Sequence, residues 1–347
     1  MRYLGLIALS SVVAAGSYFS ASVALAPAPI AAEYWVREML VIKRGIAGRY
    51  RSQRKMIVAG GSSVLFGIDT VVLGRELRVP ALNFGLHAAM PLTEILDEAA
   101  RAAGAGDAVI LALEPRFYCD PGLSAWQARN AIAWDHDLWR GWSMRQRLQA
   151  VARLGPFALI EIASARAAQA WAPGSIRARL AAFDDARVLA RFEAAPPPQR
   201  FAYSAENLDY LGNMRGLGGP EYRGSPRPAD GRVAVCAQSV EVLRNFVDAA
   251  GRRQVAVRFA LAPYVADGRA TEEAIDAASA EFARRISSIA PVLERRRDVL
   301  FARGFFLDTD LHLNARGRAL RTQRLIAAVC ADRDLRRLPD IHCPPAN

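Results

Sequence analysis

Residues 55–67 read KMIVAGGSSVLFG. The apolar run at 56–59 has no polar alternation, which is typical of a strand buried on both faces. The two glycines after it allow a tight turn, and Ser62 and Ser63 come directly after that turn. This stretch therefore predicts a buried strand that leads into a serine-bearing helix or turn.

Further apolar runs alternate with helical patterns on both sides of the middle of the chain. This alternation is typical of βαβ units, so we expect a three-layer α/β fold in which helices cover a mainly parallel sheet of about five strands. Besides 56–59, the predicted strands are 80–85, 108–113, 254–262 and a weaker one at 298–302, and the predicted helices are 92–103, 239–251, 271–289 and 315–329.

The middle of the chain lacks this alternation. Residues 144–170 and 175–194 are helical stretches rich in Ala, Arg and Leu, prolines at 196–198 interrupt the pattern, and 203–231 is rich in Gly, Pro and Tyr. We interpret residues 120–230 as a helical and loop insertion or lid-like region within a domain that spans 55–330. Residues 331–347 are then a C-terminal tail.

The N-terminus carries an uncharged apolar run at 3–26. At about 1.5 Å per residue, a helix of that length crosses the hydrocarbon core of a bilayer. The run also resembles a secretory signal with an A-x-A-like site at 24–26, but Pro27 disfavours cleavage. We therefore prefer a retained signal anchor over a cleaved signal peptide at 1–26, followed by a membrane-proximal connector at 27–54.

The charge around this run bears on topology. The segment after it carries more Lys and Arg than the N-terminal side, which by the positive-inside tendency favours a cytoplasmic domain. That tendency is weak for long translocated domains, so we expect a membrane-anchored protein whose globular domain is exported, to the periplasm or the cell exterior.

The composition limits the partners. The 347 residues are 52% hydrophobic, enough for a large core, and the formal net charge is +11. The basic residues are scattered and are not interleaved with aromatics, so we expect no nucleic acid as a partner. Anionic lipid head groups or an acidic polysaccharide suit this charge at least as well.

The four cysteines, Cys119, Cys236, Cys330 and Cys343, show no zinc-ligand spacing. An even number in an exported protein permits two disulfides with three connectivities. A bond between Cys330 and Cys343 would hold the C-terminal tail, and free buried thiols are an equally consistent alternative.

Chemically active side chains follow the predicted strands, where functional groups collect in a doubly wound sheet. A serine nucleophile needs a base to accept its proton, and the base needs a carboxylate to orient it. The candidates are Ser62 after the first strand, Asn83, Gly85 and nearby His87 after the second, Glu114 after the third, and Asp308, Asp310 and His312 before the last helix.

Each of these residues also has a structural interpretation. Ser62 is suited to capping the following helix, and either aspartate to capping the last one. Asn83 and Gly85 are common turn residues, and His87 is better explained as a structural or pocket-lining residue than as a catalytic one. The order and placement of the whole set favour a serine-based site.

Three segments, 60–67 (GGSSVLFG), 83–88 (NFGLHA) and 308–314 (DTDLHLN), resemble the SGNH/GDSL hydrolase superfamily. The chain looks most like its exported members that accompany acylation of envelope polysaccharide or teichoic acid, such as the alginate O-acetylation proteins and the D-alanyl transfer protein. The resemblance spans residues 55–330, although the middle contributes almost nothing to it.

The resemblance implies roles for individual residues. Ser62 would be the nucleophile and His312 the base. The N–H of Gly85 would be an oxyanion donor, Asn83 would support its loop, and the backbone beside the serine, at Gly61, would contribute to the same oxyanion site.

The chain departs from the hydrolase pattern at three positions. Gly61 stands where the hydrolases usually have Asp, and Glu114 where they have an oxyanion-binding Asn. A carboxylate repels a developing oxyanion, so Glu114 would instead bind substrate or a basic side chain. Thr309 replaces the usual Asp three residues before His312. The spacing in the alginate proteins favours Asp310 as the partner of His312, and Asp308 stays open as the alternative.

The resemblance implies an esterase or O-acyltransferase that acts on a cell-envelope glycan through an acyl-enzyme. It requires no metal or organic cofactor, and its partners would be the polysaccharide, an acyl donor and a membrane-bound O-acyltransferase. Sequence does not separate hydrolysis from transfer. The alternative is a non-catalytic glycan-binding or assembly partner of such an acyltransferase, which the departure at Glu114 favours.

Overall fold

The computed structural model describes residues 2–120, 122–172, 184–195, 201–219, 221–338 and 340–344. The chain forms two compact units, one of Met1–Glu38 with Pro121–Arg187 and one of Met39–Asp120 with Val188–Asn347. The predicted insertion at 120–230 is thus divided: its first part groups with the N-terminus, and its remainder belongs to the unit that holds the sheet.

The main sheet has four parallel strands, β1 (Met56–Gly60), β2 (Ala81–Gly85), β3 (Ala108–Leu113) and β4 (Ala256–Leu261), in the order β2-β1-β3-β4. Every residue of the first three strands is buried, which is why their sequences show no polar alternation. The predicted α/β class with a parallel sheet is confirmed.

The prediction of a fifth strand in this sheet is wrong. β6 (Leu300–Ala302) pairs in parallel with β5 (Tyr264–Ala266) in a separate two-stranded sheet. It is only three residues long, and a 3₁₀ helix at Arg296–Val299 comes directly before it. Only one of the three residues of β6 is buried, so its sequence pattern is too short to predict which sheet the strand joins.

Helices make up most of the rest of the described chain. The predicted helices at 92–103, 239–251, 271–289 and 315–329 are all present with shifted ends. In chain order the helices are α1 (Arg2–Leu25), α2 (Tyr34–Arg49), α3 (Ser62–Gly67), α4 (Thr70–Leu77), α5 (Leu92–Ala102), α6 (Ala125–Ala133), α7 (His136–Gly141), α8 (Met144–Leu154), α9 (Ala158–Trp171), α10 (Asp185–Ala194), α11 (Ala237–Arg252), α12 (Glu272–Ile286) and α13 (Ala315–Ala331).

In the unit that contains the N-terminus, α1 is long and apolar enough over Tyr3–Leu25 to cross a membrane, which confirms that part of the prediction. The helical stretch expected at 144–170 is two helices, α8 and α9, because Gly155 adopts a positive φ of 87° and Pro156 follows it. Of the helix predicted at 175–194, residues 175–183 lie outside the described residues, as do the prolines at 196–198.

All four cysteines form disulfides. Cys330 on α13 pairs with Cys343, so the tail is tied to the last helix. Cys119, after β3, pairs with Cys236, the N-cap of α11.

Two glycines allow the serine-bearing helix α3 to lie against the sheet. A Cβ on Gly85 would come 2.1 Å from the backbone nitrogen of Leu65, and one on Gly60 would come 2.4 Å from the carbonyl oxygen of Ala112. Neither backbone neighbour is able to move away as a flexible side chain would. Gly85 at the end of β2 therefore lets the backbone of α3 lie close to the sheet, and Gly60 at the end of β1 lets the backbone of β3 come close.

Candidate active site

Ser62 is the first residue of α3 and follows β1 through the N-cap residue Gly61. The serine is 6% exposed, so it lies in the interior just below the surface. Within the described residues its hydroxyl makes no hydrogen bond, and the buried hydroxyl of Ser63 has no partner either. Neither serine hydroxyl therefore caps α3, although capping was the structural alternative for Ser62.

The ring of His312 stacks on Phe66, with centroids 4.0 Å apart and planes 12° apart. Phe66 is four residues after Ser62, and residues at that spacing share one face of a helix. The imidazole therefore lies beside the face of α3 that carries Ser62. No hydrogen bond joins Ser62 and His312 in this part of the structure; such catalytic bonds are often long in unliganded enzymes.

Asp308 is the carboxylate that contacts the histidine. Its Oδ1 lies 2.8 Å from His312 Nδ1, and its Oδ2 accepts a hydrogen bond from the hydroxyl of Tyr203. Burial raises the pKa of Asp308, but the bonds from His312 and Tyr203 outweigh it and hold this pKa below its usual value. The ionised carboxylate favours the tautomer with the proton on Nδ1, which leaves the Nε2 lone pair to accept a proton.

Asp310, the aspartate favoured from sequence as the partner of His312, lies elsewhere. Its Oδ2 accepts hydrogen bonds from the backbone N and the Nε of Arg227, both at 2.9 Å. The loop geometry explains the difference: the N–H of Leu307 donates to the carbonyl of His312 at 2.8 Å, so the loop folds back on itself. This places Asp308 next to His312 and leaves Asp310 near the tip. The preference for Asp310 as the orienting carboxylate is wrong in this structure.

Glu114 occupies the other side of the serine turn. Its two oxygens accept the N–H groups of Gly61 at 3.0 Å and Ser63 at 2.7 Å, and its side chain is buried. A Cβ on Gly61 would come 2.5 Å from the carboxylate, so the glycine at this position makes room for Glu114. Among the described residues, Glu114 binds backbone donors at the start of α3 and not the basic side chain that was one of its two expected partners; substrate binding by Glu114 stays a prediction.

Gly85 is not available as the oxyanion donor expected from the sequence. Its N–H donates to Asn83 Oδ1 at 2.8 Å. The amide nitrogen of Asn83 donates to the carbonyls of Val64 and Ile68. Asn83 thus links β2 to α3, which agrees with a supporting role. It also accepts the N–H of Gly85, the group that the hydrolase pattern assigned to the oxyanion.

His87 has a local contact. Its Nδ1 accepts the N–H of Ala89 at 3.1 Å in the turn before α5. This contact fits the structural interpretation of His87.

The contribution of Tyr203 was not predicted from the sequence. Its hydroxyl contacts Asp308 and lies 3.3 Å from His312 Nδ1, and its ring packs against Phe66 and Phe201. The available signal was two aromatic residues, Phe201 and Tyr203, within a stretch rich in Gly and Pro. That composition favoured a lid-like loop and gave no indication that Tyr203 bonds to Asp308.

A second missed feature is the segment 208–214, which lies along the edge of β2. The N–H of Asn83 donates to the carbonyl of Leu211 at 2.9 Å, and that of Met214 to Leu65 at 3.3 Å. The side-chain oxygen of Asn213 accepts hydrogen bonds from Asn83 and from Thr70. This segment acts as a support for α3.

Lys43 joins the same support from α2. Its buried ammonium group donates to the backbone carbonyls of Asn83 and Gly212. Burial lowers the pKa of Lys43 to about 7, and the charge of Asp209 opposes this only in part. Lys43 therefore titrates near neutral pH, and its side chain joins the backbone of β2 to that of the 208–214 segment.

Within the described residues, no group of three or more His, Cys, Asp or Glu side chains is placed to hold a metal ion. No protein-family model matches the chain, and no curated protein is significantly similar to it. The features that bear on function are therefore the geometry around Ser62 and the resemblance of the three short segments.

Proposed function

We propose that the protein is an SGNH-type serine esterase or O-acyltransferase that acts on a cell-envelope glycan through an acyl-enzyme on Ser62. The observation that carries the proposal is the orientation of His312. Asp308 fixes its Nδ1, and Phe66 holds the flat face of its ring beside the helix face that begins with Ser62.

The two half-reactions follow from this arrangement. His312 Nε2 takes the hydroxyl proton of Ser62 as Oγ attacks the ester carbonyl, and the proton then passes to the departing alkoxide. In the second half-reaction the acceptor hydroxyl gives its proton to Nε2 and attacks the acyl-enzyme. Water as the acceptor gives hydrolysis, and a sugar hydroxyl gives transfer.

The negative charge of the tetrahedral intermediate needs a donor. The N–H groups of Gly61 and Ser63 are bonded to Glu114, and that of Gly85 is bonded to Asn83. In this turn of the described structure, the N–H of Ser62 itself has no partner. It is the backbone donor that the proposal assigns to the oxyanion.

The proposal includes a three-layer SGNH-like fold and an exported, envelope-bound location, and several observations support the location. Disulfides persist in oxidising compartments, and all four cysteines are paired. The apolar helix α1 suits a membrane anchor. The net charge of +11 favours an anionic polysaccharide as the acyl acceptor.

The alternative is a non-catalytic protein of the same fold that binds the glycan or assembles with a membrane-bound acyltransferase. The specific observation in its favour is Glu114. A buried carboxylate beside the nucleophile disfavours a developing oxyanion and occupies two of the donors that would bind it.

Hydrolysis of p-nitrophenyl acetate by the full chain in detergent separates the two proposals. For the enzyme we expect turnover that Ser62→Ala lowers by about a thousandfold or more, to the background of the reaction. Ser63→Ala is the matched control because it alters the neighbouring hydroxyl of the same turn, and it should retain activity.

Equal rates in the wild type and Ser62→Ala, together with retained binding to envelope polysaccharide, would establish the non-catalytic role. If turnover depends on Ser62, adding the polysaccharide as an acceptor distinguishes transfer from hydrolysis. Acyl groups found on the glycan indicate transfer, and free acid alone indicates hydrolysis.

A further inference from the structure

The corner between α8 and α9 carries large apolar side chains that face away from the protein. Phe157 is 73% exposed and Ile160 is 62% exposed, and Trp171 at the end of α9 is 88% exposed. Ile160 and Trp171 are eleven residues apart, which is three helical turns, so they share one face of α9. Apart from Ser164, which is also exposed on this face, the outward face is an apolar stripe.

The opposite face of α9 is packed inside the unit. Ala158, Ile162 and Ala165 are buried on it. Both α8 and α9 contact α1, the helix that is long and apolar enough to span a membrane. The core-facing side of α9 is thus already packed. The exposed stripe is a second face of the helix, separate from its core-facing side.

Two hydrogen bonds give the level of the corner along α1. The hydroxyl of Tyr18 donates to the carbonyl of Gly155 at 2.7 Å, and Arg166 Nε donates to the carbonyl of Leu25 at 2.9 Å. At about 1.5 Å per residue, Tyr18 lies roughly 22 Å from Tyr3 along the helix, about 8 Å inside the far boundary of a hydrocarbon core about 30 Å thick, and Leu25 lies roughly 33 Å from Tyr3, just beyond that boundary. The contacts of the corner and of α9 with α1 thus extend across the level of the far lipid interface.

The polar groups near the corner fit that boundary. Glu161 is paired with Arg129 at 2.7 Å, and Arg153 is exposed at the end of α8. Basic residues beside exposed aromatic and aliphatic side chains are typical of a protein surface that rests in the head-group region. Taken together, α8 and α9 are also apolar enough to pass for a broken membrane span, bent by 97°.

We infer that the α8–α9 corner is a second membrane contact, which inserts Phe157 and Ile160 into the lipid interface beside α1. The inference requires that α1 is embedded in the bilayer, and it does not depend on any activity of Ser62. It fixes the unit against the lipid surface at two points, where a single helix alone would leave it free to swing.

A fluorescent depth measurement on the full chain tests this contact. All four native cysteines are in disulfides, so Ile160→Cys provides a single free thiol for an environment-sensitive label such as NBD. The labelled protein is placed in phosphatidylcholine–phosphatidylglycerol nanodiscs with and without nitroxide lipids. Val12→Cys on α1 is the membrane-embedded control, and Glu273→Cys on the exposed surface of α12 is the solvent control.

We expect the label at 160 to emit at shorter wavelength than the label at 273 and to be quenched at least about twofold more by shallow nitroxides. Quenching at 160 no greater than at 273, with Val12 quenched, would overturn the inference. A blue-shifted label that no lipid nitroxide quenches would also overturn it, because it would place a protein on the stripe. A label at 12 that lipids do not quench would remove its premise.

Discussion

The two sides of Ser62 differ in whether the groups that catalysis needs are in place. On one side, Asp308 and Tyr203 fix His312, and Phe66 holds its ring beside α3. On the other side, where a hydrolase needs unoccupied donors, the carboxylate of Glu114 already takes two N–H groups. The base side is assembled, whereas on the donor side the protein itself occupies two N–H groups and leaves that of Ser62.

This difference shows which half of the site separates an enzyme from a binding protein. A histidine held by a carboxylate is required for the proton transfers, but charge stabilisation is commonly the larger contribution to catalysis. Variants on the histidine side test whether the base acts, and variants at Glu114 test whether the charge near the serine limits the rate.

Asp308→Asn should have the largest effect among the partners of His312. The amide no longer enforces the proton on Nδ1, so the acylation rate of Ser62 should fall by about a hundredfold to ten-thousandfold. The rate is measured with p-nitrophenyl acetate as the release of p-nitrophenol.

Asp310→Asn is the matched control, because it makes the same chemical change two residues away in the same loop. It breaks the ion pair with Arg227 at 2.9 Å and should leave the rate within a fewfold of the wild type. A larger loss for Asp310→Asn than for Asp308→Asn would reverse the assignment of the orienting carboxylate.

Glu114→Gln should raise the acylation rate by about tenfold, because the neutral amide no longer repels the oxyanion and leaves one backbone N–H available. It should also lower the free energy of unfolding by about 1–3 kcal/mol, since a charged acceptor of two N–H groups is lost. Both effects are measured on the same preparation, by ester turnover and by thermal unfolding. A rate as low as that of Ser62→Ala would contradict the inhibitory role of the carboxylate.

Tyr203→Phe should reduce the acylation rate a fewfold, about the effect of one hydrogen bond to the carboxylate of Asp308. The lowered pKa of Asp308 stabilises the fold above its unfolded pKa, and this stability is lost as the pH falls through the folded pKa. Without the tyrosine hydroxyl, the folded pKa of Asp308 lies closer to its unfolded pKa, so the loss should be smaller and should be complete at a higher pH in the acid unfolding curve. An unchanged curve and an unchanged rate would leave Tyr203 without a role at the site.

Lys43→Met should change the pH dependence of stability while affecting the rate least. Folding lowers the pKa of Lys43 to about 7, so the unfolded chain binds one more proton from there up to its own pKa near 10.4. The unfolding free energy should therefore rise with pH across that interval by at most about 1.4 kcal/mol per unit, and not below it. Guanidinium titrations of both proteins should differ by this slope, and parallel pH profiles would contradict the burial of a titrating lysine.

The sheet was predictable because its strands are buried on both faces and so appear as uninterrupted apolar runs. The strand at Leu300–Ala302 was placed in the wrong sheet, since three residues are too few to carry a pattern. The division of the middle of the chain could not be seen from sequence either. The segment 208–214 contacts β2 and α3 mainly through backbone hydrogen bonds, which do not depend on particular residue types.

Within the site, the order and placement of the motifs predicted that Ser62 and His312 would act together but not which aspartate turns toward the ring. That choice depends on how the loop at 307–312 folds back, and Asp308 and Asp310 are equally acidic in the sequence. Glu114 was singled out as a departure from the hydrolase pattern, but its partners are backbone N–H groups, which no residue pattern reveals.

Reaction of the full chain with a fluorophosphonate, followed by peptide mass spectrometry, tests the central claim most directly. The account predicts one phosphonyl adduct, on Ser62, that forms much more slowly when His312→Gln removes the base. An adduct on Ser63, an adduct whose rate does not depend on His312, or no adduct at all would contradict the assignment of Ser62 as an activated nucleophile.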